Sequence, residues 1–287
     1  MRKIRLAVMG LFALSLTAFI VFNIVDRVTT DNTPPVITSE SDTVAVSVAA
    51  EESELFAGLT AEDDEDGDLT DKIMISSMSN FTEPGKRTVS YVVFDDSNNA
   101  ATLTRNLEYT DYTSPQIKLT QPLRFSLNEM DDVSLTENMS VEDCLDGDIT
   151  QRIRAAFNDS SYIAMAGDYS ITVQVSNSAG DTCSVPLTVT VTDPAEESGK
   201  YYPMLSDYIV YAPVGGAVDL ASLLIGLESG TAQYLFADAD PAAPGGIESV
   251  AIGGSVDYNT PGTYTVDYQF TSASGVTGTT KLAVVVG

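Results

Sequence analysis

Glu62-Asp63-Asp64-Glu65-Asp66-Gly67-Asp68-Leu69-Thr70-Asp71-Lys72-Ile73 returns 80 residues later as Glu142-Asp143-Cys144-Leu145-Asp146-Gly147-Asp148-Ile149-Thr150-Gln151-Arg152-Ile153. The shared core is E-D-x-x-D-G-D-[LI]-T-x-[KR]-I. The same shift carries Pro35-Val36-Ile37 onto Pro115-Gln116-Ile117. A period of that length is a whole small domain, too long for one solenoid turn. The chain therefore reads as an array of similar domains.

Outward from the motif, strands show by strict alternation. Val89, Tyr91 and Val93 share one face, as do Ile171, Val173 and Val175, then Val266, Tyr268 and Phe270. Each run follows a turn glycine: Gly85, Gly167 and Gly262. A second strand follows each one, through Leu103, Leu107 and Tyr109, then Val185, Val189 and Val191, then Thr280, Val284 and Val286. The polar turns Asp95-Asp96-Ser97-Asn98-Asn99 and Asn177-Ser178-Ala179-Gly180-Asp181 separate the first two pairs. These are antiparallel hairpins with one buried face. Helical periodicity is sustained nowhere beyond the amino terminus, so the fold class is all-β, in tandem sandwiches.

Leu6 to Val25 is an uncharged run of 20 residues, and as a helix it spans about 30 Å, the thickness of a bilayer core. Arg2, Lys3 and Arg5 precede it and Asp26 follows, which predicts a cytoplasmic amino end and extracellular carboxy-terminal domains. Ala13-Leu14-Ser15 is a weak cleavage site, so an uncleaved signal-anchor is expected over a signal peptide. Asp26 to Thr33 reads as a polar tether. Proline-bearing stretches at Thr33-Pro34-Pro35 and Thr113-Ser114-Pro115, with the linker Asp193 to Lys200, place the borders. The expected division is a cytoplasmic tip and transmembrane anchor over 1–28, then modules over 29–112, 113–194 and 195–287. The last is divergent, lacks D-G-D-[LI]-T and carries a Pro/Gly/Ala-rich loop from Asp238 to Gly246.

Composition narrows the function classes. The net charge is -27, and 11 basic residues face 41 acids beyond the apolar run. That balance repels phosphate backbones and excludes nucleic acid as a partner. His is absent, which removes the commonest general base and zinc ligand. The acids recur in repeated turns, whereas an active site is normally unique. No catalysis is expected.

The D-G-D-[LI]-T loop, the T-x-P-x-I opening, the G-x-Y-x-[IV]-x-[YV]-x-[VF] hairpin and the Asn177 to Asp181 turn together resemble bacterial immunoglobulin-like domains. These are short modules found in tandem on bacterial surface proteins and appended to some pesticidal crystal toxins. The match covers residues 33–193 and reaches 201–287 through the final hairpin. The first module departs from it at Arg87, where Tyr169 and Tyr264 stand in the others. The resemblance implies a role class of spacers, adhesion modules or carbohydrate-proximal stalks.

In such a sandwich the acidic loop and the last hairpin turn lie at one end. Glu62, Asp63, Asp66 and Asp68 with Asp95 and Asp96 could then supply the six to eight oxygens that Ca2+ prefers. Glu142, Asp143, Asp146 and Asp148 repeat the loop. An EF-hand reading fails, since its twelfth position is Ile73 and Cys144 replaces Asp64. The plainer alternative is a turn whose carboxylates bond loop amides, with Gly67 and Gly147 in backbone angles that other residues resist. No cofactor other than Ca2+ is implied. Cys144 and Cys183 fall at that same end of the second module, and export favours a disulfide between them. Tyr201, Tyr202, Tyr208 and Tyr211 cluster where the third module begins, as a sugar platform or as strand packing.

The expected function is a membrane-anchored extracytoplasmic stalk, adhesion or envelope-assembly module with envelope proteins or surface glycans as partners. The alternative is a binding module for cell-surface polysaccharide, and a hydrolase accessory subunit follows behind.

Overall fold

The computed structural model describes residues 2–29, 31–130, 133–158, 163 and 165–287. The chain divides into two compact units, residues 1–112 and 113–287. The first opens with helix α1, Arg2–Thr29. Its stretch Arg2–Val25 is long and apolar enough to cross a membrane. Thr17 and Asn23 turn their polar groups back onto the carbonyls of Ala13 and Phe19, each at 2.8 Å. Their polarity is thereby spent within the helix. No Gly or Pro intervenes between Gly10 and Pro34, so the helix continues through residues expected to form a tether.

A seven-stranded sandwich completes the first unit. β1 (Val36–Ser39), β3 (Leu59–Asp63) and β4 (Gly67–Asp68) make one sheet. β2 (Thr43–Val46), β7 (Ala100–Tyr109), β6 (Lys86–Phe94) and β5 (Met74–Met78) make the other, in that order. β2 runs parallel to β7 and the remaining pairs are antiparallel. Ile37 and Ala61 from the first sheet meet Val89, Tyr91, Val93 and Leu107 from the second in one core. Arg105 is an unexpected core residue. Its guanidinium donates to Ser39 Oγ and to the carbonyls of Ala57 and Leu55, and lies over the Tyr91 ring. Arg87, the departure from the family pattern, bonds the Tyr109 hydroxyl and stacks on Phe81. Tyr169 and Tyr264 at the matching positions bond the carbonyls four residues earlier.

The second unit repeats the plan twice. β8 (Gln116–Leu119), β10 (Met139–Asp143) and β11 (Gly147–Asp148) face β9 (Arg124–Ser126), β14 (Thr182–Thr192), β13 (Gly167–Ser176) and β12 (Arg154–Phe157). β15 (Tyr202–Leu205), β17 (Leu224–Ser229) and β18 (Ala232–Leu235) then face β16 (Ile209–Ala212), β21 (Thr277–Val286), β20 (Gly262–Thr271) and β19 (Val250–Gly253). β9 with β14, and β16 with β21, keep the parallel pairing. The alternating residues expected to point inward are buried, with Ile171, Val173 and Tyr268 at 0% exposure, except Leu103 and Tyr109, which are half-buried.

Residues 113–287 pack as one unit, so the border placed after Asp193-Pro194 separates two sandwiches that share a core. The seam is bonded as well as packed. The Tyr208 amide donates to Leu119 O at 3.0 Å across it. The Tyr211 hydroxyl accepts from the Ile117 amide at 2.8 Å and donates to its carbonyl at 3.1 Å. Arg124 pairs with Glu228 and lies 3.7 Å over the Tyr202 ring, and Lys281 reaches Asp168 at 3.3 Å.

Candidate functional site: the acidic loops

The repeated motif is explained bond by bond. Asp63 Oδ1 accepts from the amides of Glu65 and Asp66 at 2.9 and 3.0 Å, closing the turn after β3. Gly67 takes φ +72°, a left-handed conformation that costs other residues energy. Asp68 Oδ1 accepts from the Thr70 amide at 2.9 Å, and Thr70 Oγ1 accepts from the Ala61 amide at 3.1 Å. Asp143, Gly147, Asp148 and Thr150 repeat every step. Leu145 and Asp146 amides reach Asp143 at 2.9 Å, Gly147 has φ +69°, and the Thr150 amide reaches Asp148 at 2.9 Å. The turn reading thus accounts for both copies.

The remaining acids tie this turn to the hairpin turn beside it. Asp66 Oδ2 accepts from the Asp96 amide at 2.8 Å, and Asp96 pairs with Lys72 at 2.7 Å. In the second copy Asp146 accepts from the Ser178 amide at 2.7 Å and hydroxyl at 2.6 Å, and pairs with Arg152. Burial pushes the Asp146 carboxyl up; the Ser178 bonds and Arg152 outweigh it and hold the group below the usual carboxylate range. The Thr70 and Thr150 hydroxyls and amides hold Asp68 and Asp148 low in the same way. Glu62 and Glu142 stand exposed on their strands, away from the other acids' bonding.

Two of the ten candidate acids, Asp63 and Asp95, converge with a third that sequence reasoning missed. Asp31, Asp63 and Asp95 are all buried, at 7%, 8% and 5% exposure, and each offers an oxygen within 4.8 Å of the others'. Asp31 follows α1. Its Oδ1 accepts from the Thr33 amide at 2.8 Å and from the Thr33 hydroxyl. Asp95 accepts from the Asn99 amide and side chain, both at 2.7 Å, and Asn99 also donates to the Asp31 carbonyl at 3.2 Å. One oxygen each of Asp31 and Asp63 is buried with no hydrogen-bond partner. The signal for Asp31 was present in the repeat, since the 80-residue shift carries it onto Asp111 ahead of the second T-x-P-x-I.

The second sandwich solves the same geometry without the charge. Asn177 occupies the hairpin position of Asp95, and its Nδ2 donates to Asp143 Oδ2 at 3.2 Å. That is the oxygen left bare on Asp63. Asp111 spends its carboxylate on Ser47 Oγ and the Val48 amide, both at 2.7 Å.

One other expectation resolves differently, and the tyrosines take the packing alternative. The bridge between Cys144 and Cys183 is not formed. Cys144 is exposed and donates to Thr113 O at 3.2 Å, while Cys183 packs inward, 3.8 Å from the Tyr211 hydroxyl. Burial pushes the Cys183 thiol up and leaves it a poor nucleophile. The tyrosines form no open platform, since Tyr202 and Tyr208 are buried and Tyr201 packs against Phe270 at 6.0 Å.

A family model agrees with this architecture. The model of the bacterial surface protein Ig-like domain matches two separate segments of the chain, residues 45–108 and 234–286. The matches fall on the first and third sandwiches, so the divergent last module is recognised by more than its final hairpin. No curated protein matches the chain. Among solved structures, the CBM51-2 and INT domains of Clostridium perfringens ZmpB in complex with GlcNAc align over 50% of this chain and 29% of theirs, at 22% identity and TM-score 0.22. A lipoprotein of Bacteroides thetaiotaomicron aligns over 87% of this chain and 98% of its own, at 11% identity and TM-score 0.21. Human CDH23 EC21-23 covers 88% and 100%, at 11% identity and TM-score 0.22. The chain spans less than a third of the length of the two Clostridium perfringens structures it matches.

Proposed function

We propose that this chain is a membrane-anchored, extracytoplasmic and non-catalytic spacer. In this reading α1 holds it in the bilayer and the sandwiches serve adhesion or an envelope assembly. The observation that carries the reading is the seam between the second and third sandwiches. A shared core, the Tyr208–Leu119 backbone bond and the Arg124–Glu228 pair make residues 113–287 a single stiff unit. Stiffness of that kind suits a stalk and is not required of a chain of independent binding beads. The loop acids favour the same view, because most are committed to neighbouring amides or cations and do not converge on a cleft.

Polysaccharide binding is the competing outcome, and the inward-packed tyrosines count against it. The test is extraction from the native membrane followed by mass spectrometry and protease accessibility in sealed vesicles. We expect Leu6 to Val25 to be recovered and the β-rich units to be digested only from the outer side. A mature start beyond Ser15 would overturn the anchor. Saturable binding of the full-length protein on a glycan array would replace the spacer with a binder.

A further inference from the structure

We propose that Asp31, Asp63 and Asp95 form a Ca2+ site that fastens the segment leaving α1 to two loops of the first sandwich. Three carboxylates lie within 4.8 Å of one another, all more than nine-tenths buried. Such a group gathers three carboxylates in one water-poor place, where neighbouring acidic side chains repel one another unless a cation stands between them. Among the described residues no salt bridge reaches any of the three. Oδ2 of Asp31 and Oδ2 of Asp63 are buried with no donor, an arrangement that costs free energy unless something positive completes it.

The chemistry of the donors selects the ion. All are hard carboxylate oxygens, which suit Ca2+ or Mg2+ over softer metals. Oxygens on opposite sides of a Ca2+ stand about 5 Å apart, since each lies about 2.3–2.6 Å from the ion, and the 4.8 Å span fits inside this. Mg2+ demands a tighter octahedron and keeps several waters, which a buried cluster accommodates poorly.

The second sandwich is an internal control. There Asn177 stands in place of the hairpin acid, and its side-chain amide gives Asp143 Oδ2 the donor that Asp63 Oδ2 lacks. The same backbone frame thus exists in two versions, one completed by an amide and one open to a cation. Asp31 gives the site its consequence, because it belongs to neither loop and lies just beyond the end of α1.

The test uses the full-length chain in detergent, with Ca2+ alone as the probe. Calorimetric titration should find one Ca2+ per chain. The melting midpoint of the first unit should rise by about 5 °C or more between chelator and saturating Ca2+, through the mass-action term. Asp95→Asn, which copies the second sandwich, should abolish binding and shift while circular dichroism stays unchanged. Asp71→Asn, on an exposed acid, should keep both. If Asp95→Asn fails to fold, Asp31→Asn serves, as it lies outside the sandwich strands. No binding by the wild type at millimolar Ca2+, equal binding by the Asp31 and Asp95 variants, or an equal response to Mg2+ would each overturn the assignment.

Discussion

Asp68 and Asp148 show how a single carboxylate shapes the whole repeat. Each caps the amide two residues on, and each is held below the usual carboxylate range by that threonine's hydroxyl and amide. The sign of the pH dependence follows. A carboxyl whose folded pKa is depressed adds stability above its unfolded value, about 3.9, and loses it as pH falls through the folded value. Both sandwiches should therefore weaken from about pH 4 downward. Asp68→Asn with Asp148→Asn keeps an acceptor oxygen and removes the titration, so its denaturation midpoint should fall less between pH 7 and pH 3 than that of the parent. Parallel losses in the two proteins would show that these caps do not set the acid sensitivity. The turn role of these acids was legible because two copies of D-G-D-[LI]-T share only the groups that make these bonds. The convergence of Asp31 with Asp63 and Asp95 was not, since it joins positions 32 and 64 residues apart that no local pattern links.

At the scale of elements, alternation revealed the long hairpins β6–β7, β13–β14 and β20–β21, whose inner faces are mostly buried and whose outer faces are mostly polar, with Val92, Phe94, Ala283 and Val285 as apolar exceptions. The two-residue strands β4 and β11 were hidden, because they exist only as the return of the acidic turn. The pairing of Cys144 with Cys183 misled for a related reason. Proximity at one end of a sandwich does not fix direction, and one side chain points out while the other points in. The inward Cys183 faces Tyr211, whose hydroxyl bridges the amide and carbonyl of Ile117 and so ties β16 to β8. Tyr211→Phe leaves both backbone groups without that partner while keeping the ring. It should destabilise the second unit by about 1–3 kcal/mol, the usual cost of unsatisfied buried polar groups. Denaturant unfolding of the full-length chain measures this, and a loss below about 0.5 kcal/mol would mean that water replaces the hydroxyl.

At the scale of the molecule, two compact units predict two unfolding transitions, one for residues 1–112 and one for residues 113–287. The linker at Asp193 to Lys200 read as a border because it is polar and carries Pro194, yet the sandwiches on either side fuse. The reason lies outside the linker. Tyr202, Tyr208 and Tyr211 seal the seam, and each is an ordinary strand residue in a sequence window. Arg124 and Glu228, 104 residues apart, retain only 15% and 18% of their side-chain exposure and sit beside the Tyr202 ring. Removing one partner of such a pair leaves the other charge half-buried and also strips the ring of its cation. Arg124→Ala should lower the second transition by about 2 kcal/mol, discounted from a fully buried pair for the solvent that still reaches it. The first transition should not move. If the seam is instead the weakest part of the unit, the second transition should split in two, with the sandwiches melting separately. Scanning calorimetry of the full-length protein separates these outcomes. An Arg124→Ala thermogram identical to that of the parent would show that the shared core alone makes residues 113–287 one cooperative body.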